Sequence, residues 1–272
     1  MYEEYWKLKS RPFRNTPEPA FFYPSKAHEE ALTKLTYAVT ENMGAAMLTG
    51  AYGCGKTLLS VVLISQLGIR HAVASCIAQP NMTHLDLLRT VARSMTEENL
   101  PSVRSELVAD SLMEVIGRAL RENGRDGKHT VLTIDEAHLM DSQAVLEMTR
   151  LLLNFQDKGS FLLTLILLGH PELSDRISGI KQLSQRIPIT CNIGLFDRDD
   201  TGGYIKRRLA VAGRADNPFG DDALNFIHRN SGGIPRRINT LCDVSLALGF
   251  AQRAESIDAN LVMAASEKFG VV

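Results

Sequence analysis

Residues 50–57 read GAYGCGKT, after the apolar run AAMLTG (45–50) and before TLLSVVLISQL (57–67). Gly50, Gly53, Gly55, Lys56 and Thr57 fill every fixed position of G-x-x-x-x-G-K-[ST]. The pattern has chemical meaning when a buried strand precedes it and a helix follows. Glycines then let the backbone wrap closely enough to aim its N–H groups at phosphate oxygens. The helix adds its positive N-terminal end. ATP is therefore the expected ligand, held by Gly50, Ala51, Tyr52, Gly53, Cys54, Gly55, Lys56, Thr57 and Leu58. Lys56 reaches the β and γ phosphates, and Thr57 supplies a hydroxyl to Mg²⁺.

A second stretch, VLTIDEAH (131–138), is a hydrophobic strand ending in two acids. Asp135 is the expected Mg²⁺ ligand beside Thr57. Neighbouring strand residues point to opposite faces, but at a strand terminus both acids can serve one site. Glu136 then orients and polarises the attacking water, which argues for hydrolysis rather than sensing alone. The letters DEAH also name a helicase class. That class requires a second motor domain, and the stretch after residue 197 is too short and too helical for one.

The order of elements fits this chemistry. Residues 1–24 form an irregular arm rich in Pro and aromatics. The spacing in 25–42 indicates a helix with Ser25 as N-cap. Strands are expected at 45–50, 71–78, 130–137, 161–170 and 188–194. Helices are expected at 57–67, 83–95, 106–123 and 142–156, the last capped by Asp141. Apolar runs without alternation, flanked by helices, indicate a parallel sheet covered on both faces. Near residue 197 the pattern turns all-helical. The expected organisation is an arm over 1–24, an α/β nucleotide-binding core over 25–196 and a small all-helical lid domain over 197–272.

Three groups downstream are candidates for stabilising the charge that hydrolysis develops. His170 ends the 161–170 strand, which lies next to the phosphate-loop strand if the Asp-Glu strand is its near neighbour. It is equally suited to capping the strand end beside Pro171. Arg186, in KQLSQRIPI, is placed to project into a neighbouring subunit's nucleotide, with Arg176 as the alternative. Arg236, with Arg237 as alternate, follows SGGIP in the first turn of a helix. Positive charge there opposes the helix dipole, so a partner anion is expected. Cys54 lies in the loop near a helix N-terminus, a setting that can lower a thiol's pKa, but the expected reading is a variable position that tolerates any small residue. Phe21, Phe22 and Tyr23 offer rings either to adenine or to the core.

The bulk numbers limit the partners. A formal net charge of −1 gives no global field for nucleic acid or anionic lipid. The local run Lys206, Arg207, Arg208 keeps DNA open as a partner. Cys54, Cys76, Cys191 and Cys242 have no metal-site spacing and read as free thiols of a reducing cytoplasm. No apolar run is long enough to span a bilayer as a helix.

FRNTPEPAFFYPSKAHEEAL, GAYGCGKT, LTIDEAHLM, LLGHPEL, LSQRI, YIKRRLAVAG and SGGIPRRINTLCD together resemble the ExeA/GspA-type AAA+ ATPases. The wider clade includes MshM-like pilus-biogenesis ATPases and TniB/TnsC/MuB-type transposition ATPases. The likeness runs from about residue 5 to about residue 265. It implies a P-loop AAA+ sheet sandwiched by helices, a helical lid, and a homo-oligomeric ring or filament formed with ATP. His170 would be the sensor-1 residue, Arg186 the trans arginine and Arg236 sensor 2. Typical members carry Gln or Asn where this chain has His170, and an ionisable ring there is expected to make hydrolysis pH-dependent. Full-length members continue into a transmembrane segment and a peptidoglycan-binding region, which these 272 residues lack. Three functions are implied: an ATP-driven switch in secretion or pilus assembly, a DNA-binding regulator of transposition, and a nucleotide-gated binding protein with negligible turnover.

Overall fold

The computed structural model describes residues 1–96 and 108–271. They fall into two compact units. A sheet unit takes Glu30–Gly50 and Val62–Ile193, and a helical unit takes Met1–Glu29, Ala51–Val61 and Gly194–Val272.

The sheet unit is built on β1 (Ala45–Gly50), β2 (His71–Ile77) and β3 (His129–Asp135). The short β4 (Gln156–Asp157) and β5 (Ser160–Phe161) follow, then β6 (Leu163–Gly169) and β7 (Ile189–Ile193). Five of these form one parallel sheet in the order β2-β3-β6-β1-β7. The central strands β1 and β6 are buried at every residue. That is why AAMLTG and LTLILLG show no alternation: a parallel sheet covered on both faces needs apolar side chains on both. Along the chain the helices are α1 (Lys26–Thr40), α2 (Lys56–Gln66), α3 (His84–Met95), α4 (Ala109–Arg125), α5 (Gln143–Leu152), α6 (Glu172–Ser178) and α7 (Lys181–Ser184). Thr83 and Asp86 start α3 with a reciprocal capping box, Asp86 N–H donating to Thr83 Oγ1 at 3.2 Å and Thr83 N–H to Asp86 Oδ2 at 3.0 Å.

Several boundaries differ from expectation. The helix expected over 142–156 ends at Leu152, because Lys158 and Gly159 both take positive φ (49° and 83°) and close a two-residue β4–β5 hairpin. That hairpin also removes Phe161 from the long strand expected over 161–170. Asp141 does not cap α5; Ser142 occupies the N-cap position without a side-chain hydrogen bond. Ser25 Oγ sits 2.7 Å from His28 Nδ1. Residues 106 and 107 of the helix expected over 106–123 lie outside the described residues.

The helical unit contains α8 (Arg198–Val211), α9 (Asp221–Ser231), α10 (Pro235–Gln252) and α11 (Ala259–Phe269). Asp197 caps α8 by accepting from Asp200 N–H at 2.7 Å, and Asp258 caps α11 by accepting from Leu261 N–H at 2.8 Å. The N-terminal arm is part of this unit's core. Tyr2, Trp6, Phe13 and Phe21 are buried in one cluster with Tyr204, Ile205 and Leu246, and Trp6 Nε1 donates to the Leu246 carbonyl at 2.8 Å. Phe21 and Tyr23 are thus packing residues: Tyr23 stacks edge-on against Phe196 and Tyr204.

Arg208 joins arm to helices and corrects the reading of Lys206, Arg207 and Arg208 as one exposed cationic run. Lys206 and Arg207 are exposed, but Arg208 is 3% exposed. It follows the buried Tyr204 by four residues and so shares its inward helix face. Its guanidinium donates to the Pro12 carbonyl, to the Arg14 carbonyl at 2.9 Å and to the Tyr204 hydroxyl at 2.7 Å. It also lies over the Phe21 ring, 4.7 Å from the centroid. Arg208→Ala leaves those carbonyls unsatisfied and is expected to lower unfolding free energy by about 2–4 kcal/mol. Arg208→Lys should not restore it, because one ammonium cannot reproduce the planar fork; denaturant unfolding measures both.

His129 faces His71 across the β2–β3 register, and its Nε2 lies 2.9 Å from Thr164 Oγ1. Burial, with His71 nearby, pushes its pKa down to about 4 from 6.5. Between those values the unfolded chain holds a proton that the folded chain refuses. Stability should therefore decline as pH falls through that window and be insensitive to this group above it. Thermal melts across the range should show the decline, flattened in His129→Gln.

Candidate functional site

The phosphate-binding motif starts where β1 ends, at Gly50, and finishes in the first turn of α2. Gly53 and Gly55 take φ of +78° and +103°, the region glycine enters without cost. A side chain at Gly53 would also lack room: its Cβ would stand 2.9 Å from Arg236 Cβ. Lys56 is buried, and its Nζ donates to the Ala51 carbonyl at 3.0 Å across the loop. Thr57 is exposed at the helix start. A tight loop of left-handed glycines, a lysine over it and the amides of a helix start fit a polyphosphate. Cys54 is buried, and burial pushes its thiol up rather than down, which fits a small packing residue in the loop and removes the case for a reactive cysteine.

Two further elements of the helical unit fix this loop. The Arg236 N–H, in the first turn of α10, donates to the Gly53 carbonyl at 3.3 Å. The turn before α10 depends on Gly233, with φ +71°, where any Cβ would run into the Phe196 carbonyl. Phe196 N–H in turn donates to the Gly233 carbonyl at 2.9 Å. SGGIP is therefore the joint that aims α10 at the loop. The Arg236 guanidinium lies over the Tyr52 ring, 4.6 Å from its centroid. Arg236 and Arg237 line, with Tyr52, Ile234 and Thr240, a cavity of about 600 Å³.

The second element is His28, which the sequence reading passed over. Its Nε2 is 3.0 Å from the Cys54 carbonyl and its Nδ1 2.7 Å from Ser25 Oγ. A carbonyl only accepts, so Nε2 carries the proton and Nδ1 accepts from the Ser25 hydroxyl. Burial holds the His28 pKa below its usual value, which keeps this neutral tautomer. Phe22 and Phe196 pack beside the ring.

In the sheet unit, β3 and β1 both pair with β6, so the strands ending at Asp135 and Gly50 flank the strand that ends before His170. His170 is where the sequence set it, one residue beyond a strand adjacent to the phosphate-loop strand. Asp135 Oδ1 accepts from Glu136 N–H at 2.8 Å. Glu136 has φ +54°, ψ +31°, a left-handed conformation uncommon for a non-glycine residue. That kink ends strand alternation immediately after Asp135, so the two carboxylates are not forced to opposite faces. A short 3₁₀ turn, Ala137–Leu139, follows. His138 then stacks on His170, centroids 4.1 Å apart and planes 5° from parallel, and Glu136 Oε2 lies 3.4 Å from His138 Nδ1. His138 was not singled out in the sequence; its spacing from Glu136 was visible, its ring partner was not.

The two candidate trans arginines are engaged within the sheet unit. Arg186 Nη1 donates to the Leu153 carbonyl at 3.1 Å from a half-buried position. Arg176, exposed, donates to the His138 carbonyl.

Residues 39–177 match the model of the AAA domain family. General secretion pathway protein A of Aeromonas hydrophila is 36% identical over 275 aligned residues, covering 100% of this chain and 49% of the relative. The chain thus spans about half of that relative's length. Among solved structures, the Aeropyrum pernix ORC1 protein in complex with DNA is similar with a TM-score of 0.74, at 14% identity, over 97% of this chain and 70% of that one. Cdc6p from Pyrobaculum aerophilum is similar with a TM-score of 0.73, at 19% identity, over 92% and 70%. At those identities the two structures speak to the fold alone. The family match and the likeness to the Aeromonas hydrophila relative over the whole of this chain make the conclusion direct: the chain belongs to the AAA domain family and is of the ExeA/GspA type.

Proposed function

We propose that this chain is an ATP-hydrolysing AAA+ switch that couples its nucleotide state to the assembly of a secretion or pilus machine. The observation that carries the reading is the phosphate loop itself: left-handed Gly53 and Gly55, Lys56 folded over the loop, and carbonyls at Gly53 and Cys54 held from outside by Arg236 and His28. Holding those carbonyls from behind stiffens a loop whose amides must face phosphate before it arrives, which is the preorganisation that makes such donors effective. The link to secretion rests on the likeness to General secretion pathway protein A.

In this reading Lys56 neutralises the β and γ phosphates. Thr57 and Asp135 hold Mg²⁺, which would spread the charge building on the phosphates. Glu136 orients and polarises the attacking water, His170 senses the γ-phosphate, and Arg236, with Arg237 as alternate, senses the γ-phosphate from the first turn of α10. Arg186, with Arg176 as the alternative, acts on the nucleotide of a neighbouring copy in a homo-oligomer. Residues 25–196 serve as core and 197–272 as lid, and the protein works in the cytoplasm with protein partners of the machine. No helix among the described residues is long and apolar enough to cross a membrane. The transposition reading loses support from Arg208, whose burial leaves only Lys206 and Arg207 of the run exposed.

Steady-state phosphate release tests the assignment. Lys56→Ala should abolish nucleotide binding, whereas Glu136→Gln should keep it and slow release by about 10²–10⁴-fold. Unaltered release from Glu136→Gln would remove the hydrolytic role. Arg186→Ala should bind ATP and lose turnover by about a thousandfold. Mixing it with Lys56→Ala should recover part of the rate, since one copy then supplies the arginine and the other the nucleotide. Wild-type turnover by Arg186→Ala alone would show that another residue fills this role.

A further inference from the structure

Glu136, His138 and His170 bring two imidazoles and a carboxylate together at the carboxyl edge of the sheet. Their donor atoms all lie within 4.8 Å of one another. The cluster is sheltered, with side-chain exposures of 35% for Glu136, 16% for His138 and 23% for His170. The backbone builds it deliberately tight. The left-handed Glu136 turns the chain into the 3₁₀ turn, and Leu139 N–H closes that turn on the Glu136 carbonyl at 2.8 Å. Arg176 holds the His138 carbonyl from the far side. Gly169 lets the turn lie against the end of β6: a Cβ there would stand 3.1 Å from the His138 nitrogen and 2.8 Å from Leu173 Cδ2. Glu172, on the solvent side, has its Oε2 4.0 Å from His170 Nδ1, too far for a hydrogen bond but near enough to add negative charge beside the ring.

We propose that Glu136, His138 and His170 form a binding site for a divalent transition-metal ion of the zinc class, and that filling it arrests hydrolysis. The donor set selects the ion. Mg²⁺ takes oxygen ligands in octahedral geometry, whereas two imidazoles and one carboxylate suit zinc, cobalt, nickel or copper. Zinc bonds of about 2.0–2.2 Å place tetrahedral donors roughly 3.4 Å apart. An imidazole lone pair lies in its ring plane and the two rings are stacked 5° from parallel, so binding requires one ring to turn out of the stack as well as donor-atom shifts of about 1–1.5 Å. One carboxylate and two neutral rings bring a single negative charge to a dication. The site takes the Glu136 carboxylate away from water, so the ion competes with the proposed role of Glu136. That regulatory half rests on the hydrolytic reading above; the binding half does not.

Titration of the metal-free chain with Co²⁺, followed by visible absorption, tests the binding half without nucleotide. The expected result is a saturable band at one ion per chain, displaced by Zn²⁺ and weakened at least about tenfold in both His138→Gln and His170→Gln. His84→Gln should bind as wild type, and circular dichroism checks that each variant is folded. A band that survives both substitutions, or no saturable band, overturns the site. For the regulatory half, phosphate release is read at fixed free Zn²⁺ and expressed relative to each variant's own metal-free rate. Wild type should be inhibited over the same Zn²⁺ range that displaces Co²⁺, and His138→Gln should lose that inhibition. Tight Co²⁺ binding with Zn²⁺-insensitive turnover overturns the regulatory half. A wild-type chain without any turnover would count against the hydrolytic reading, while the Co²⁺ spectrum would still decide the site.

Discussion

Everything chemical in the sheet unit depends on three parallel strands ending at one edge. β3, β6 and β1 are neighbours in that order, with Ile134 level with Leu167 and Leu167 level with Met47. Parallel pairing makes their carboxyl ends coincide, and the polar residues that terminate each strand therefore collect there. Open α/β sheets bind ligands at this edge for that reason. The strands themselves contribute mostly apolar side chains, with threonines such as Thr49 and Thr164 among them, and β1 and β6 are buried throughout. Asp135 is the last residue of β3, and Glu136 and His170 stand just beyond their strands, where a side chain no longer has to be covered on both faces.

The helical unit solves a different problem, that of holding a glycine loop still. Glycine supplies the left-handed turns but also the largest conformational freedom to be lost on ordering. Backbone carbonyls facing away from phosphate provide the handles. Arg236 N–H takes the carbonyl of Gly53 and the His28 ring takes that of Cys54. Both anchors come from segments packed in one apolar cluster with the N-terminal arm, through residues such as Phe196 and Tyr204. The Arg236 side chain, resting over Tyr52, then belongs to the same rigid piece as the loop.

Much of this was legible in the sequence because it is periodic or local. Apolar runs located β1, β3 and β6, shorter strand-like stretches gave β2 and β7, and the four C-terminal helices followed from their spacing and Gly/Pro punctuation. GAYGCGKT and LTIDEAH carry their chemistry in adjacent residues. What escaped depends on contacts between distant segments. His28 reads as an ordinary helix residue until the Cys54 carbonyl is placed against it. His138 acquires meaning only from the ring of His170, just beyond the end of β6. Arg208 read as part of a solvated run because its partners, the carbonyls of Pro12 and Arg14, carry no side-chain signature. The early end of α5 shows local turn chemistry overriding apolar spacing: Lys158-Gly159 makes a hairpin where LLLNFQ suggested more helix.

The central claim, that the loop after β1 grips the phosphates of ATP, is tested most directly by equilibrium titration of the wild-type chain with ATP. The account predicts saturable binding at one nucleotide per chain, strengthened by Mg²⁺ and displaced by ADP but not by AMP. Such selectivity is required of a loop whose amides and lysine address the β phosphate. Absence of binding, or displacement by AMP as readily as by ADP, would contradict it.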